Sequence, residues 1–319
     1  MNSYSKINYK LRPQKCIERK LFSNFINEVS NELKCKFNYI GMGSLYYADH
    51  LHFYKNCNIE NLLSIEDMYD KNGNYDKLKC QRFNNNIPLH DIKLIAKKTS
   101  DAINDFDYSK NNFIWFDYDG CLEPYMIKDV DMLSNKVKET TVLAVTINLN
   151  YHKRYLKSNT VNTKRMFDDF KEYADSNLVE KAFLNSEYEK TILRLFNYII
   201  EYNLRTSNAL QSQENQKIES RQHSIIKYKD GSCMITILWV LLKNENINRS
   251  FSDTLDNSEI KGSKDLSIGH ITNLEKRMLD LYRNDNYKII SQYMGIEEAD
   301  IEKYYELQKY IPDYAEVIT

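Results

Sequence analysis

Five short apolar runs recur at intervals of roughly 25–30 residues, with helix-like stretches between them. They constrain this chain more than any other feature of its 319 residues. The runs are residues 37–43 (Phe-Asn-Tyr-Ile-Gly-Met-Gly), Leu62–Ile65, Ile92–Ala96, Phe113–Phe116 and Thr141–Ile147. Leu45–Lys55 and a segment carrying Met126, Val130 and Leu133 have helical spacing. Parallel neighbours in a sheet need a long crossover, usually a helix, and such crossovers are right-handed. The pattern therefore predicts an α/β fold with a mostly parallel sheet.

Each run ends in small or polar groups. These are Gly41-Met42-Gly43-Ser44, then Glu66, then Ser100-Asp101, then Asp117-Tyr118-Asp119-Gly120, and finally Asn148. Ligands of parallel α/β sheets bind beyond the carboxyl ends of the strands, so one rim would collect all of these groups. Gly41 and Gly43 let a ligand approach the backbone, and the helix N-terminus after Ser44 favours an anion. Glu66, 23 positions after Gly43, is placed to accept hydrogen bonds from a ribose diol. Each feature alone is common; their order along four strand ends points to a ligand site.

The flanks differ in character. Residues 1–36 are basic, and Pro13 followed by Ile17, Leu21, Phe25 and Val29 predicts an amphipathic helix over residues 13–33. Its cations, among them Lys6, Lys10, Arg12, Lys15, Arg19 and Lys20, are expected mostly on the solvated face. The ligand-binding core is expected over residues 37–150, with a helical insert over 151–220. A β-hairpin, turning at Asp230-Gly231, completes the sheet over 221–244. Residues 244–266 read as a polar loop opening a helical C-terminal region, 245–319. Its Ile289–Ile296 stretch superficially suggests a helix-turn-helix, but residues 286–319 carry three Lys against seven Asp and Glu, which a phosphate-facing surface would not choose.

Composition excludes several classes. With 44 Lys and Arg against 45 Asp and Glu, the net charge is −1, so the chain as a whole does not support nucleic-acid binding. Eight Gly and four Pro exclude collagen-like and low-complexity chains. No Cys pair has C-x-x-C spacing, which argues against a zinc knuckle. Met1–Ser5 lead into no apolar signal segment, and Met234–Leu242 is too short to span a membrane. A cytoplasmic protein with reduced thiols is expected. His50 and His52, two residues apart on a predicted helix, do not share a face, and a divalent metal is not expected.

The order of these features resembles the Rossmann-like fold of class I S-adenosylmethionine-dependent methyltransferases, with the hairpin as the most discriminating part. More narrowly, Leu11-Arg12-Pro13, Glu18-Arg19-Lys20, Ile40–Tyr47, Leu63-Ser64-Ile65-Glu66 and Trp115–Asp119 are similar to bacterial proteins classed as O-methyltransferases. The resemblance covers about residues 10–150 and the hairpin at 223–243. It implies S-adenosylmethionine as cofactor, held by Gly41, Gly43, Ser44, Glu66 and Asp101, with Asp101 near the adenine. Asp117 is implied as the catalytic or cofactor-orienting carboxylate, with Asp119 next. The catechol-type members suggest Asp117 with Asn148 as metal ligands, a thin basis for a metal site. The chain departs from the common pattern at Tyr39, where many methyltransferases carry an acid, and lacks a third loop glycine. Asp119 could equally cap a helix.

Two alternatives compete. Asp117-Tyr118-Asp119-Gly120, with Thr146 ending the next run, resembles the opening motifs of haloacid dehalogenase-like phosphatases, where the first Asp attacks phosphorus. That family's later acidic pair has only Asp168-Asp169 to represent it, on no strand. The other alternative is a non-catalytic nucleotide-binding or scaffold protein, with the insert and tail meeting a protein partner or a second copy. As an enzyme, the chain would take an unknown acceptor, and the insert would cover its pocket. Lys153, Arg154, Lys157, Lys164 and Arg165 hint at an anionic acceptor, although a solvated basic face explains them as well.

Overall fold

A computed structural model describes residues 12–70, 72–269, 271–283 and 286–311. Lys6, Lys10, His270 and the end of the acidic tail lie outside them. The strands are β1 (Phe37–Met42), β2 (Ile59–Ile65), β3 (Ile92–Ile95), β4 (Asn112–Cys121), β5 (Thr141–Asn148), the two-residue β6 (Leu156–Lys157) and β7 (Thr160–Val161), β8 (Ile218–Asp230), β9 (Ser232–Lys243) and β10 (Gly262–Asp265). The helices are α1 (Pro13–Leu33), α2 (Ala48–Asn56), α3 (Lys77–Asn85), α4 (Thr99–Ala102), α5 (Pro124–Ser134), α6 (Thr163–Phe170), α7 (Asn185–Ala209), α8 (Arg249–Asn257), α9 (Asn273–Leu281), α10 (Tyr287–Met294) and α11 (Glu298–Leu307).

Eight strands form one sheet in the order β10-β8-β9-β5-β4-β1-β2-β3. The first five strands are mutually parallel, whereas β9 runs antiparallel to both β5 and β8. This is the expected parallel sheet completed by a hairpin, whose Gly231 takes φ +70°, a conformation glycine adopts without a Cβ clash. Side chains alternate across a strand, and here both faces are covered, so β4 is apolar on both. Phe113 and Trp115 pack with Ile17, Phe22 and Phe25 of α1 and Phe53 of α2. Ile114 and Phe116 pack with Met126, Ile127 and Val130 of α5 and Leu195 of α7.

Three expectations need correction. First, Asp117–Gly120 does not follow β4 but lies within it. Asp117 pairs with Thr146 and Cys121 with Asn148, so β4 carries two extra residues there. Such an irregularity re-aims side chains, and it moves Asp119 away from any cap: α5 starts after Glu123. Second, residues 244–266 are not simply a loop. They contain α8, whose Phe251 and Leu255 are buried in the same core as α1, and the edge strand β10. Third, the basic face of α1 is not solvated. Lys15, Glu18 and Arg19 are buried, because they face partners that local sequence does not reveal. Among the described residues no helix is long and apolar enough to cross a membrane.

Candidate active site

The strand order reverses between β1 and β4, the place where open α/β sheets bind ligands. A cavity of about 630 Å³ opens there, with Gly43, Ser44, Glu66, Ser100, Asp117 and Asp119 in its wall. The ends of β1, β2 and β4 and the start of α4 thus converge as their order along the chain implies.

Gly43 donates its N–H to Ile65 O at 3.3 Å, which ties the loop to the end of β2. A methyl group added at Gly43 would sit 2.0 Å from Ser64 Oγ and 3.5 Å from Glu66 Oε1. The loop thus lies so close to the end of β2 that only glycine fits, with the Glu66 carboxyl beside it. Ser64 Oγ is buried there without a hydrogen-bond partner. Burial pushes the Glu66 carboxyl up to about 8; Lys79, 4.0 Å away, opposes this, and Asp67 and Asp119 reinforce it. At neutral pH it is mostly a neutral carboxyl, with one O–H donor and one carbonyl acceptor to offer.

Gly41 serves a different purpose from the one expected. It is buried and outside the cavity wall, and a Cβ there would lie 2.3 Å from the hydroxyl of Tyr39. Tyr39 is the residue standing in place of the usual acid, and it folds back over Gly41 between Phe53, Phe113 and His50. Its buried hydroxyl has no partner, and burying such a group costs about 1–3 kcal/mol. Tyr39→Phe is accordingly expected to raise stability by about 1 kcal/mol in chemical denaturation; a loss of stability would show that the hydroxyl is bonded after all. Asp101 is exposed and outside the wall, while its neighbours Thr99 and Ser100 line it.

The charged groups of α1 complete the site and were missed. Lys15 Nζ donates to Asp117 Oδ1 at 2.6 Å and lies 3.0 Å from Glu18 Oε2. It sits 4.6 Å from the centre of the Trp115 ring and 5.5 Å from that of Tyr228. Arg19 pairs with Asp49 of α2, another wall residue. Burial raises the Asp117 carboxyl to about 6 against the pull of Lys15, with Asp119, Glu18 and Asp49 adding to the rise. Asp49 is also desolvated, yet Arg19 holds it below its ordinary range. The one signal in the sequence was Lys15, Glu18 and Arg19 falling among Ile17, Leu21 and Phe22, charges sharing a helix with its apolar stripe.

A phosphatase site is not assembled. Thr146 is buried in a relay in which Trp115 Nε1 donates to Thr146 at 2.9 Å, Thr146 bonds Thr236 at 2.7 Å, and Thr236 donates to Glu18. Asp168 and Asp169 pair with Lys171 and Arg154 and line no part of the cavity. No residue of 151–220 does so, and Arg154 is further engaged by Glu123. Asn148 lies opposite Cys121, not Asp117, and accepts from Asn150 N–H. Among the described residues no group of three or more His, Cys, Asp or Glu could hold a metal ion.

The sequence has no match among curated proteins. Solved structures to which it is similar include a "putative O-methyltransferase" from Klebsiella pneumoniae, at 11% identity, covering 69% of this chain and 80% of that one with a TM-score of 0.33. Another is the O-methyltransferase of Bacillus cereus in complex with SAH, at 12% identity, 69% and 80% coverage and a TM-score of 0.30. A third is Trm1 of Pyrococcus horikoshii with S-adenosyl-L-methionine, at 13% identity, 76% and 58% coverage and a TM-score of 0.43. A family model described as "Putative O-methyltransferase" matches residues 7–319. With nearly its whole length inside that match and the strand order and cavity described above, this chain belongs to that O-methyltransferase family.

Proposed function

We propose that the chain transfers the methyl group of S-adenosylmethionine to an oxygen of an acceptor, with the nucleoside held between Gly43 and Glu66. The observation that carries this is the 3.5 Å approach of the Glu66 carboxyl to the missing Cβ of Gly43. The residues present fit the cofactor. A cavity of about 630 Å³ is within the usual range for a ligand of this size. The neutral Glu66 carboxyl, in the cavity wall, can exchange hydrogen bonds with a ribose diol. Thr99 and Ser100, at the start of α4, line the wall where β3 ends.

When bound, this cofactor supplies a sulfonium methyl that a lone pair displaces in line, a reaction accelerated largely by positioning. Asp117 is fixed at one oxygen by Lys15 and orients whatever meets its other edge. Asp119, exposed on the irregular end of β4 and in the cavity wall, is placed to take the proton of an entering acceptor. Six free cysteines suit a reducing compartment and support a cytoplasmic enzyme.

Calorimetric titration of the purified chain with S-adenosylmethionine tests this reading. One-to-one binding is expected. Glu66→Ala, which removes two neutral hydrogen bonds, is expected to weaken binding roughly tenfold to a hundredfold. No binding by the wild-type chain would return the scaffold alternative.

A further inference from the structure

The end of β2 is held from outside the sheet by a cation of α3. Lys79 stands in the first turn of that helix, where its N–H is capped by Asp76 Oδ1 at 2.8 Å. Its side chain runs back to β2: Nζ donates to the carbonyl of Asp67, lies 4.0 Å from Glu66 Oε2 and sits 5.6 Å from the centre of the Phe83 ring. Phe83 is fully buried and anchors α3, and its carbonyl accepts from the hydroxyl of Tyr47, just before α2, at 3.1 Å. α3 is thus tied both to the loop after β1 and to the end of β2. Lys79 itself is outside the cavity wall that Glu66 lines; its side chain is 15% exposed, against 9% for Glu66. Glu66 is also faced by Asp119 from β4, by Tyr47 and by its neighbour Asp67, and none of these brings a positive charge. A cation in a first turn opposes the helix dipole, and α3 has no acid there to offset it. Helix stability therefore gives no reason for Lys at this position, whereas its reach to β2 does.

We propose that Lys79 is a positioning residue of this site, clamping the end of β2 through the Asp67 carbonyl and setting the charge that Glu66 presents to the ribose. This rests on the reading above, in which the nucleoside lies beside Glu66, and deepens it. Lys79 touches no ligand and acts in two ways. Its bond to the Asp67 carbonyl fixes the backbone just past Glu66, so that the carboxyl keeps one direction as the ligand enters. Its ammonium favours the ionised carboxyl, while burial and the charges of Asp67 and Asp119 favour the neutral one. The balance decides whether Glu66 offers a diol one donor and one acceptor, or acceptors alone.

The test is the pH dependence of binding, measured by calorimetry on the full-length chain from about pH 6 to about pH 10. The probe is 5′-methylthioadenosine, which keeps the ribose diol but has no ammonium or carboxyl of its own to titrate in that range. Wild-type affinity is expected to change through about pH 8, where Glu66 loses its proton. Lys79→Met is expected to move that midpoint up by about one pH unit, because the charge favouring the ionised form is gone. At the acid end of the range, where Glu66 is neutral in both chains, the variant is expected to bind severalfold more weakly through the lost clamp alone. Lys79→Arg keeps the charge and is expected to restore the midpoint. A Lys79→Met midpoint equal to that of wild type, or a wild-type affinity flat across the range, makes Lys79 merely structural and overturns the proposal while the nucleoside reading stands. A wild-type chain that does not bind the probe at any pH removes the nucleoside reading, and the proposal with it.

Discussion

Lys15→Met is expected to destabilise the protein by about 3–5 kcal/mol, the usual consequence of removing one partner from a buried ion pair. The loss arises less from the vanished attraction than from what stays behind. Asp117 and Glu18 both lose the cation that lies 2.6 and 3.0 Å from them. Glu18 cannot reach bulk water without moving α1, whose Ile17, Phe22 and Phe25 are fixed in the core, and Asp117 meets water only at its cavity edge. The aromatic walls of Trp115 and Tyr228 around the ammonium would lose a cation-π contact as well. Contrast the pair between Arg205 and Glu201 on α7, with side chains 81% and 52% exposed, where the same deletion costs less than about 1 kcal/mol. Urea denaturation of the two variants side by side is the measurement. Asp117→Asn placed on the Lys15→Met background should recover part of the loss, since the two changes act on one pair. A Lys15→Met effect as small as the Arg205 one would mean that water enters the cluster and that it is not a buried site.

The second large effect concerns pH. Glu66 has its carboxyl pushed from its ordinary 4.5 up to about 8, mainly by burial. A raised acid binds a proton more readily in the folded than in the unfolded chain. Its contribution is thus fully present below about pH 4.5 and is lost as pH rises toward about 8. Glu66→Gln keeps the shape and removes the titration. The variant is expected to match wild type near pH 4.5, to exceed it by about 3 kcal/mol at pH 7, and to hold a constant advantage above pH 8. Thermal unfolding from pH 5 to 9 would show the two curves diverging. Parallel curves would place Glu66 in water, away from Gly43. Because Gln still offers a donor and an acceptor, it should retain more cofactor affinity than Glu66→Ala. A residue that costs stability in the empty protein and serves the ligand is the expected signature of a binding site.

Local sequence was enough for the sheet and for several residues that line the candidate cavity. The runs at 37–43, 62–65, 92–96, 113–116 and 141–147 became β1 to β5 because both faces of a covered parallel sheet must be apolar, and that leaves a contiguous signal. Asp230-Gly231 marked its hairpin by turn chemistry alone. Gly43 and Glu66 were legible because each occupies a strand end, a position that spacing reveals. What spacing cannot reveal is which distant group a side chain will meet. Lys15 and Asp117 are 102 residues apart, and Arg19 and Asp49 are 30 apart; on the helix alone, those cations were indistinguishable from a solvated face. Gly41 shares a motif with Gly43, yet the ring of Tyr39 takes its open side, a decision of packing rather than of backbone freedom. The extra residues of β4 and the placement of α8 and β10 belong to the same class. Periodicity is a property of neighbours in the chain, so it determined the strands, the hairpin and the positions of their ends. Whether a buried charge is tolerated depends on partners brought in by the fold, so only the tertiary structure could turn the basic face of α1 inward, behind the carboxylates of the cavity.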